Sequence, residues 1–414
     1  MPHTKINAVW LDQEKCKGCI SCMKLCPTEA IRVRNGKAQV HYDKCIACGE
    51  CVRVCRHHAK NATYDNFNTI DKFKYKVALP APALFGQFNN LKDINYVLDG
   101  LLRIGFDDIY EVAYGAEIIS EATKLLLKQN KLKKPIISTA CPVISELILM
   151  KFHALKDNLL PLIAPVDVAA INARKIAMEK SKLKAEEIGV FFISPCPAKV
   201  FALKKGAGSG KIVVDGVLAI NEIYFKLVNE MKNIDTPKKL NKAGIRGIQW
   251  AHSGGEAIGI EKDKYVVADG MESVIKLLEQ IEDGRVQDID FVEMSACQNG
   301  CVGGVLNIED PSLARMKLRL LMKILPQNTL RENLSFDLNN LKRYEEPELL
   351  DVLKYDDDIV IALKKMKEKN ELLKRLPDLD CGACGAPSCA AFAEDVMNDN
   401  MKITDCIRME QEEK

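Results

Sequence analysis

Sixteen cysteines are the residues of this 414-residue chain best suited to chemistry, and they divide into four groups of four. Two groups lie near the N-terminus, one lies near the C-terminus, and one is spread through the middle. Four thiolates are the ligand set that an iron–sulfur cluster requires. The sequence therefore predicts an electron carrier with four clusters.

The first two groups both have the spacing C-x2-C-x2-C-x3-C, with which bacterial-type ferredoxins hold a pair of 4Fe–4S clusters. In that arrangement the fourth cysteine of each run binds the other cluster. We therefore assign one cluster to Cys16, Cys19, Cys22 and Cys55, and its mate to Cys45, Cys48, Cys51 and Cys26. Zinc is the alternative, but structural zinc sites favour separated C-x2-C pairs over three cysteines at steps of three.

The C-terminal group has the spacing C-x2-C-x4-C-x16-C and consists of Cys381, Cys384, Cys389 and Cys406. It resembles the small 4Fe–4S module of electron-bifurcating and corrinoid-linked redox proteins. Phe392, Val396 and Ile403 recur near helical spacing, which predicts a short helix that returns Cys406 to the other three. With this group, the chain has three predicted accessory clusters.

Between about residues 72 and 323, β-like runs alternate with amphipathic segments, which predicts parallel sheets covered by helices. The predicted strands are Lys76–Leu79, Asp108–Val112, Pro135–Ser138, Ile188–Ile193 and Ile289–Glu293. The predicted helices are Glu117–Lys128, Asp167–Glu179, Val217–Met231, Met271–Ile281 and Ser312–Leu325.

Three cysteine motifs each follow a predicted strand: TACPVI at Thr139–Ile144, SPCPAK at Ser194–Lys199 and MSACQNGCVGG at Met294–Gly304. The C-terminal ends of parallel strands line the ligand crevice of such folds. We therefore expect the central group to converge there, although its members are far apart in sequence: Cys141, Cys196, Cys297 and Cys301.

These three loops, in this order, resemble the signature loops of the iron–iron hydrogenases, and the resemblance covers most of residues 72–325. It implies reversible conversion of dihydrogen to protons and electrons at an H-cluster. Cys141, Cys196 and Cys297 would bind its 4Fe–4S cubane. Cys301 would be the fourth ligand and the bridge to a two-iron subcluster with carbon monoxide, cyanide and dithiolate ligands. Lys199 matches the lysine that donates hydrogen bonds to a cyanide ligand, a task that suits an ammonium.

Several positions depart from the fast hydrogenases. There, the residue before the first ligand cysteine is another cysteine, whose thiol carries the proton, but here it is Ala140. A relay glutamate falls on Ala202, and two methionines beside the two-iron site fall on Ser194 and Ser295. Glu121 matches a further family carboxylate. The resemblance therefore implies slow turnover, as in a branch of the family thought to be sensory.

The predicted architecture combines an α/β hydrogenase-type domain at residues 72–330 with an α+β two-cluster ferredoxin domain at 1–68. A mostly helical linker at 331–376 and a C-terminal 4Fe–4S domain at 377–414 complete it. The run from Leu363 has apolar residues near helical spacing, which predicts a solvated helix in that linker, with partner docking as the alternative.

Composition limits the partners. The 59 basic and 57 acidic residues give a net charge of +2, which argues against a nucleic-acid partner. No apolar run reaches the ~18–20 residues of a membrane span, and we expect a cytoplasmic protein. The expected partners are dihydrogen, protons and a redox partner such as ferredoxin or a signalling protein.

The alternative to a hydrogenase is a non-catalytic cluster protein for cluster assembly or electron relay. The presence of Lys199 and Cys301 argues against this alternative.

Overall fold

The computed structural model describes residues 7–326, 336–344, 348–350, 355 and 358–409. The chain divides into two compact units. One consists of Thr63–Glu348, and the other joins the two ends of the chain, Met1–Ala62 and Leu349–Lys414. Within the described ranges, no helix combines the length and the apolar character that crossing a bilayer requires.

Two parallel sheets form the framework of the larger unit. The strand order of the first is Asp108–Ile109, Tyr75–Pro80, Ile188–Ser194 and Gly216–Ala219. The order of the second is Tyr265–Asp269, Phe291–Ser295 and Ile136–Ile137. All residues of Ile188–Ser194 are buried, as expected of an inner strand that is covered on both faces.

Helices cover these sheets, and the predicted α/β class is confirmed. The α-helices of this unit are Asn95–Arg103, Val112–Gln129, Pro142–Lys151, Pro165–Ser181, Pro197–Lys205, Ile220–Met231, Ile245–Ile248, Gly255–Ile260, Met271–Glu282 and Pro311–Met322. Its 3-10 helices include Phe67–Lys72, Pro82–Gln87, His153–Asn158, Ala185–Glu187, Gln249–Ala251, Gly300–Gly303 and Leu338–Leu341. Aromatic and aliphatic side chains such as Phe85, Phe191 and Leu218 fill the main core.

Two predicted elements are wrong in part. The start of the predicted helix Val217–Met231 is the strand Gly216–Ala219, because these residues pair with Phe191–Ser194, and the helix begins only at Ile220. The predicted strand Asp108–Val112 ends at Ile109, since Val112 already begins a helix. The strand Tyr265–Asp269 had no prediction.

The first part of the smaller unit has the short elements of a two-cluster ferredoxin. Val9–Leu11 pairs antiparallel with Lys60–Ala62, and Ile31–Arg34 with Lys37–Val40. Two one-turn helices, Ser21–Lys24 and Glu50–Arg53, each contain a cysteine. Gly18 has a φ of +67°, and a Cβ there would lie 2.3 Å from the Gly36 oxygen, so the first cysteine loop requires glycine.

The last segment of the chain belongs to the same unit. Its helices are Ile359–Arg375 and Cys389–Met397, followed by the 3-10 turn Ile403–Asp405. Ile359–Arg375 has no buried residue, in agreement with the predicted solvated helix. Other parts of the predicted linker 331–376 lie outside the described residues, namely 331–335, 345–347, 351–354 and 356–357.

Candidate functional site

Both sheets contribute cysteine loops to the central site. Cys141 follows Ile136–Ile137, Cys297 follows Phe291–Ser295, and Cys196 follows Ile188–Ser194 of the other sheet. Cys141 and Cys196 are each the N-cap of a helix that begins with proline. Proline suits this first position because the N–H that it lacks has no partner within the helix. Burial raises the pKa of the Cys196 thiol, so metal must replace its proton there, and the positive end of the helix dipole suits the thiolate that results.

Lys199 lies where these loops meet. Its Nζ is 3.3 Å from Cys301 Sγ. Loss of solvent by itself lowers the pKa of Lys199, but the charges of Cys301, Cys196 and Cys141 outweigh that effect and raise it above its usual range. The side chain is therefore an ammonium that faces several thiol groups.

Glycines pack the third cysteine loop onto its neighbours. A Cβ at Gly304 would lie 2.2 Å from the Pro195 oxygen, beside Cys196. A Cβ at Gly300 would lie 2.5 Å from the Ser253 nitrogen, and Gly300 has a φ of +80°. Both close approaches are to protein backbone: Gly304 packs the third loop against the Cys196 loop, and Gly300 packs it against Ser253.

Three cavities in the described part of the smaller unit are each lined by one cysteine quartet. One is lined by Cys16, Cys19, Cys22 and Cys55. The second is lined by Cys26, Cys45, Cys48 and Cys51. The third is lined by Cys381, Cys384, Cys389 and Cys406. No three Cys, His, Asp or Glu side chains among the described residues form a site for a single metal ion.

Backbone amides and burial both act on these thiols. The amides of Ala30 and Ala59 each donate to a cysteine sulfur, Cys26 and Cys55, at 3.3 Å. Burial raises the pKa of the Cys51 thiol to about 12. A thiol with such a pKa becomes a ligand only where metal replaces its proton. The quartets thus have the donors that cubane clusters need. Each cavity has one further carboxylate or imidazole side chain in its lining, namely His57, Glu50 and Asp380, respectively.

Comparison with models of protein families shows to which family this chain belongs. The model described as the iron only hydrogenase large subunit, C-terminal domain, matches residues 74–242 and 224–305, which together are more than half of the chain. The chain belongs to the iron-only hydrogenase family. A 4Fe-4S dicluster domain model matches residues 8–56, and a model of an Fe-S cluster domain matches residues 376–408. The predicted family and fold class are confirmed, and the chain is an iron–sulfur protein.

Individual relatives are distant. The periplasmic Fe hydrogenase large subunit of Nitratidesulfovibrio vulgaris is 21% identical over 363 residues, which are 72% of this chain and 86% of that protein. A ferredoxin of Methanothermococcus thermolithotrophicus is 39% identical over 51 residues, 12% of this chain and 85% of the ferredoxin. A solved FeFe-hydrogenase structure from Chlamydomonas reinhardtii has a TM-score of 0.49 at 16% identity, over 67% of this chain and 95% of that one.

The two serines at the predicted methionine positions make different contacts in this hydrogenase domain. Ser194 is buried, and its hydroxyl donates to the Cys196 oxygen at 3.0 Å and accepts from the Cys196 nitrogen at 3.3 Å. Ser194 therefore fixes the backbone of the Cys196 loop. Ser295 is half-buried at the end of its strand, and its carbonyl accepts from the Gly270 nitrogen at 3.0 Å.

Glu121 is directed into an ion-pair group. Its carboxylate pairs with Arg246, and with Lys124 at 3.3 Å. Arg246 and Lys124 also pair with Glu261, so all four charges are mutually compensated. Glu121 is also absent from the lining of the cavity beside Ala140. The structure brings together the central cysteines and Lys199 but does not add Glu121 to them.

Sequence reasoning missed a buried acid pair behind Ala140. The Ala140 amide donates to Ser138 Oγ at 3.2 Å, and Ser138 Oγ donates to Glu256 Oε2 at 2.5 Å. Burial and the neighbouring Glu293 raise the pKa of Glu256 well above its usual range. Burial also raises the pKa of Glu293 to about 7. The sequence signals were Glu256 at the end of the SGGE motif at Ser253–Glu256 and Glu293 between apolar residues of a strand.

A cavity of about 80 Å³ adjoins the first two cysteine loops. Ala140, Ala202 and Lys199 all contribute to its wall. The two alanines are the positions at which the fast hydrogenases were expected to have proton-carrying side chains. In this chain both positions border open space.

Proposed function

We propose that this chain is an iron–iron hydrogenase that binds an H-cluster and reversibly oxidises dihydrogen to protons and electrons. We further propose slow turnover and a hydrogen-sensing or regulatory role. The observation that carries the proposal is the position of Lys199 Nζ, 3.3 Å from Cys301 Sγ. A bare cubane needs only thiolates, whereas an ammonium beside one of them suits anionic ligands on a second metal group.

The donor set fits the proposed cofactor. Four thiols would hold the cubane, and Cys301 would also hold the two-iron subcluster with its carbon monoxide, cyanide and dithiolate ligands. When bound, this cofactor supplies the iron at which dihydrogen is split. Lys199 would hold cyanide by donating hydrogen bonds, and Ser194 would keep the Cys196 loop in place through its backbone contacts.

Slow turnover is proposed from the residues that should move protons. Neither Ala140 nor Ala202 can bind or release a proton, and the carboxylate of Glu121 is engaged by Arg246 and Lys124. General acid–base catalysis typically contributes about 10²- to 10⁴-fold to a rate, so the absence of proton-carrying groups at these positions should lower the rate of dihydrogen turnover. A protein that keeps every ligand yet lacks these groups is better suited to sensing dihydrogen than to consuming it.

Electrons would pass through the three accessory 4Fe–4S clusters to a redox partner such as ferredoxin, or to a signalling protein. We place the protein in the cytoplasm, because a reducing compartment preserves sixteen free thiols for metal binding.

Infrared spectroscopy of the anaerobically matured protein tests the proposal. Carbon monoxide and cyanide bands that shift on exposure to dihydrogen are the expected result. A protein with all four cubanes but no such bands would instead be a non-catalytic cluster protein. If the bands are present, the rate of dihydrogen oxidation separates a sensor from a metabolic enzyme, and rapid turnover would contradict the sensory role.

A further inference from the structure

The cavity beside Ala140 extends from the cysteine loops to the protein exterior. Its wall includes Ala140 and Lys199 of the cysteine loops, and also Ala207, which is exposed. Ser145 and Asp167, both of which are buried, line the same cavity. The cavity therefore borders both the proposed reaction site and an exposed position.

Polar atoms in this wall lack protein partners. Ser145 Oγ, Asp167 Oδ1 and Arg343 Nε are buried and make no hydrogen bond to any described residue. A buried polar atom without a partner costs about 1–3 kcal/mol, so such atoms in a cavity of this size are expected to bind water. Ser145 is 7% exposed and Asp167 is 2% exposed, so bulk solvent alone does not satisfy them.

Two carboxyl groups border the same space. Burial raises the pKa of Asp167 to about 7, and it also raises the pKa of Glu146. Arg343 opposes both shifts, and Lys205 opposes that of Glu146. The other cation of the wall is Lys199, on the same helix as Lys205. Asp167 Oδ2 accepts from the Ala164 nitrogen at 3.1 Å, and this bond and the Ser209 hydroxyl also oppose the rise in the pKa of Asp167.

We propose that water in this cavity, together with Asp167 and Glu146, carries protons between solvent and the loop at Ala140. The inference rests on the proposed function. A proton released beside Ala140 passes along hydrogen-bonded water to Asp167 Oδ1 or the Glu146 carboxylate, and leaves to solvent near Ala207. Each carboxyl group returns to its starting state, and the electrons leave separately through the clusters. The cavity thus replaces the missing thiol with a longer and slower route.

The test uses Asp167→Asn and Glu146→Gln, with the surface variant Glu272→Gln as the matched control. Ala202→Leu fills the cavity without changing a titratable group. The rate of hydrogen isotope exchange between dihydrogen and water should fall about tenfold or more in the first two variants and in Ala202→Leu, and should not change in the control. Asp167→Glu should restore part of the rate, since it retains the carboxyl group.

A second measurement is independent of turnover. In the protein without its two-iron group, the infrared band of a protonated carboxylic acid should titrate near pH 7 and should be absent from Asp167→Asn. Unchanged isotope exchange in both Asp167→Asn and Glu146→Gln would overturn the relay, as would an Asp167 that stays ionised below pH 5. Carbon monoxide and cyanide bands in all variants show that the proposed function stands even if the relay fails. Their absence from the parent protein would overturn the proposed function, and the relay with it.

Discussion

At the scale of single residues, Lys199 is the side chain that best separates a hydrogenase site from a bare cubane. Its Nζ contacts Cys301 Sγ, and the surrounding thiols favour its charged form. We expect Lys199→Met to retain the cubane but to weaken the infrared bands of carbon monoxide and cyanide, because anionic ligands lose their donor. Lys276→Met, at an exposed position paired with Glu272, is the control. Bands of full intensity in Lys199→Met would contradict this role.

Ala140 allows a second test at this scale. It borders the cavity, so a cysteine there has room for its sulfur. We expect Ala140→Cys to raise dihydrogen turnover at least about tenfold, because a thiol can accept and release a proton where a methyl group cannot. Ala140→Ser is the matched control, since a hydroxyl of similar size does not ionise near neutral pH. Equal rates in the parent and Ala140→Cys would show that the missing thiol does not limit turnover.

At the scale of secondary structure, the sequence predicted the helices and strands that have a clear hydrophobic period. It missed the strands that are defined only by hydrogen bonding to a neighbouring strand. The buried strand Ile188–Ser194 and the long helices were predictable from apolar runs and 3.6-residue spacing. Gly216–Ala219 was not, because four residues before an amphipathic helix share its apolar pattern, and only pairing with Phe191–Ser194 makes them a strand. Tyr265–Asp269 is likewise defined by its parallel partner, Phe291–Ser295.

A buried pair of glutamates should make the stability of the fold depend on pH. Glu256 lies in the helix Gly255–Ile260, and Glu293 lies in the strand Phe291–Ser295. A carboxyl whose folded pKa is raised stabilises the fold below its unfolded pKa, and that contribution is lost as pH rises through the folded value. We therefore expect the thermal midpoint to fall between about pH 5 and pH 8. In Glu256→Gln the decrease should be smaller, since one acid and its repulsion of Glu293 are gone. If the thermal midpoints of the parent and of Glu256→Gln change with pH in the same way, the pKa of Glu256 is not raised. The surface variant Glu272→Gln is the control.

At the scale of the whole molecule, the sequence predicted which cysteines belong together but not what surrounds them. The crossover of bacterial-type ferredoxins grouped Cys26 with Cys45, Cys48 and Cys51, and the same four residues line one cavity. Cys141, Cys196 and Cys301 all lie close to Lys199, although the loops of Cys141 and Cys196 follow strands of two separate sheets. The Ser145–Asp167–Arg343 lining could not be predicted, since its members belong to three segments whose side chains have no common period.

The two ends of the chain fold into one unit, and a buried ion-pair group holds them together. Asp395 Oδ2 accepts from Arg32 Nε at 2.7 Å and from Arg34 Nη2 at 2.5 Å. Beside it, the Val33 nitrogen donates to the Gly385 oxygen at 2.9 Å. The loop of the C-terminal cluster is therefore bonded directly to a strand of the ferredoxin part.

Asp395→Asn tests whether this contact protects the C-terminal cluster. Removal of one partner from a buried ion pair typically costs about 3–5 kcal/mol, because the remaining charge stays buried without compensation. We expect the variant to lose the C-terminal cluster first in urea, seen as one electron paramagnetic resonance signal that disappears at lower denaturant concentration than in the parent. Asp399→Asn, at an exposed position of the same segment, should behave like the parent. If all clusters of the variant are lost together, at the urea midpoint of the parent protein, other contacts hold the two ends together. Arg32 and Arg34 would then tolerate their positions without Asp395.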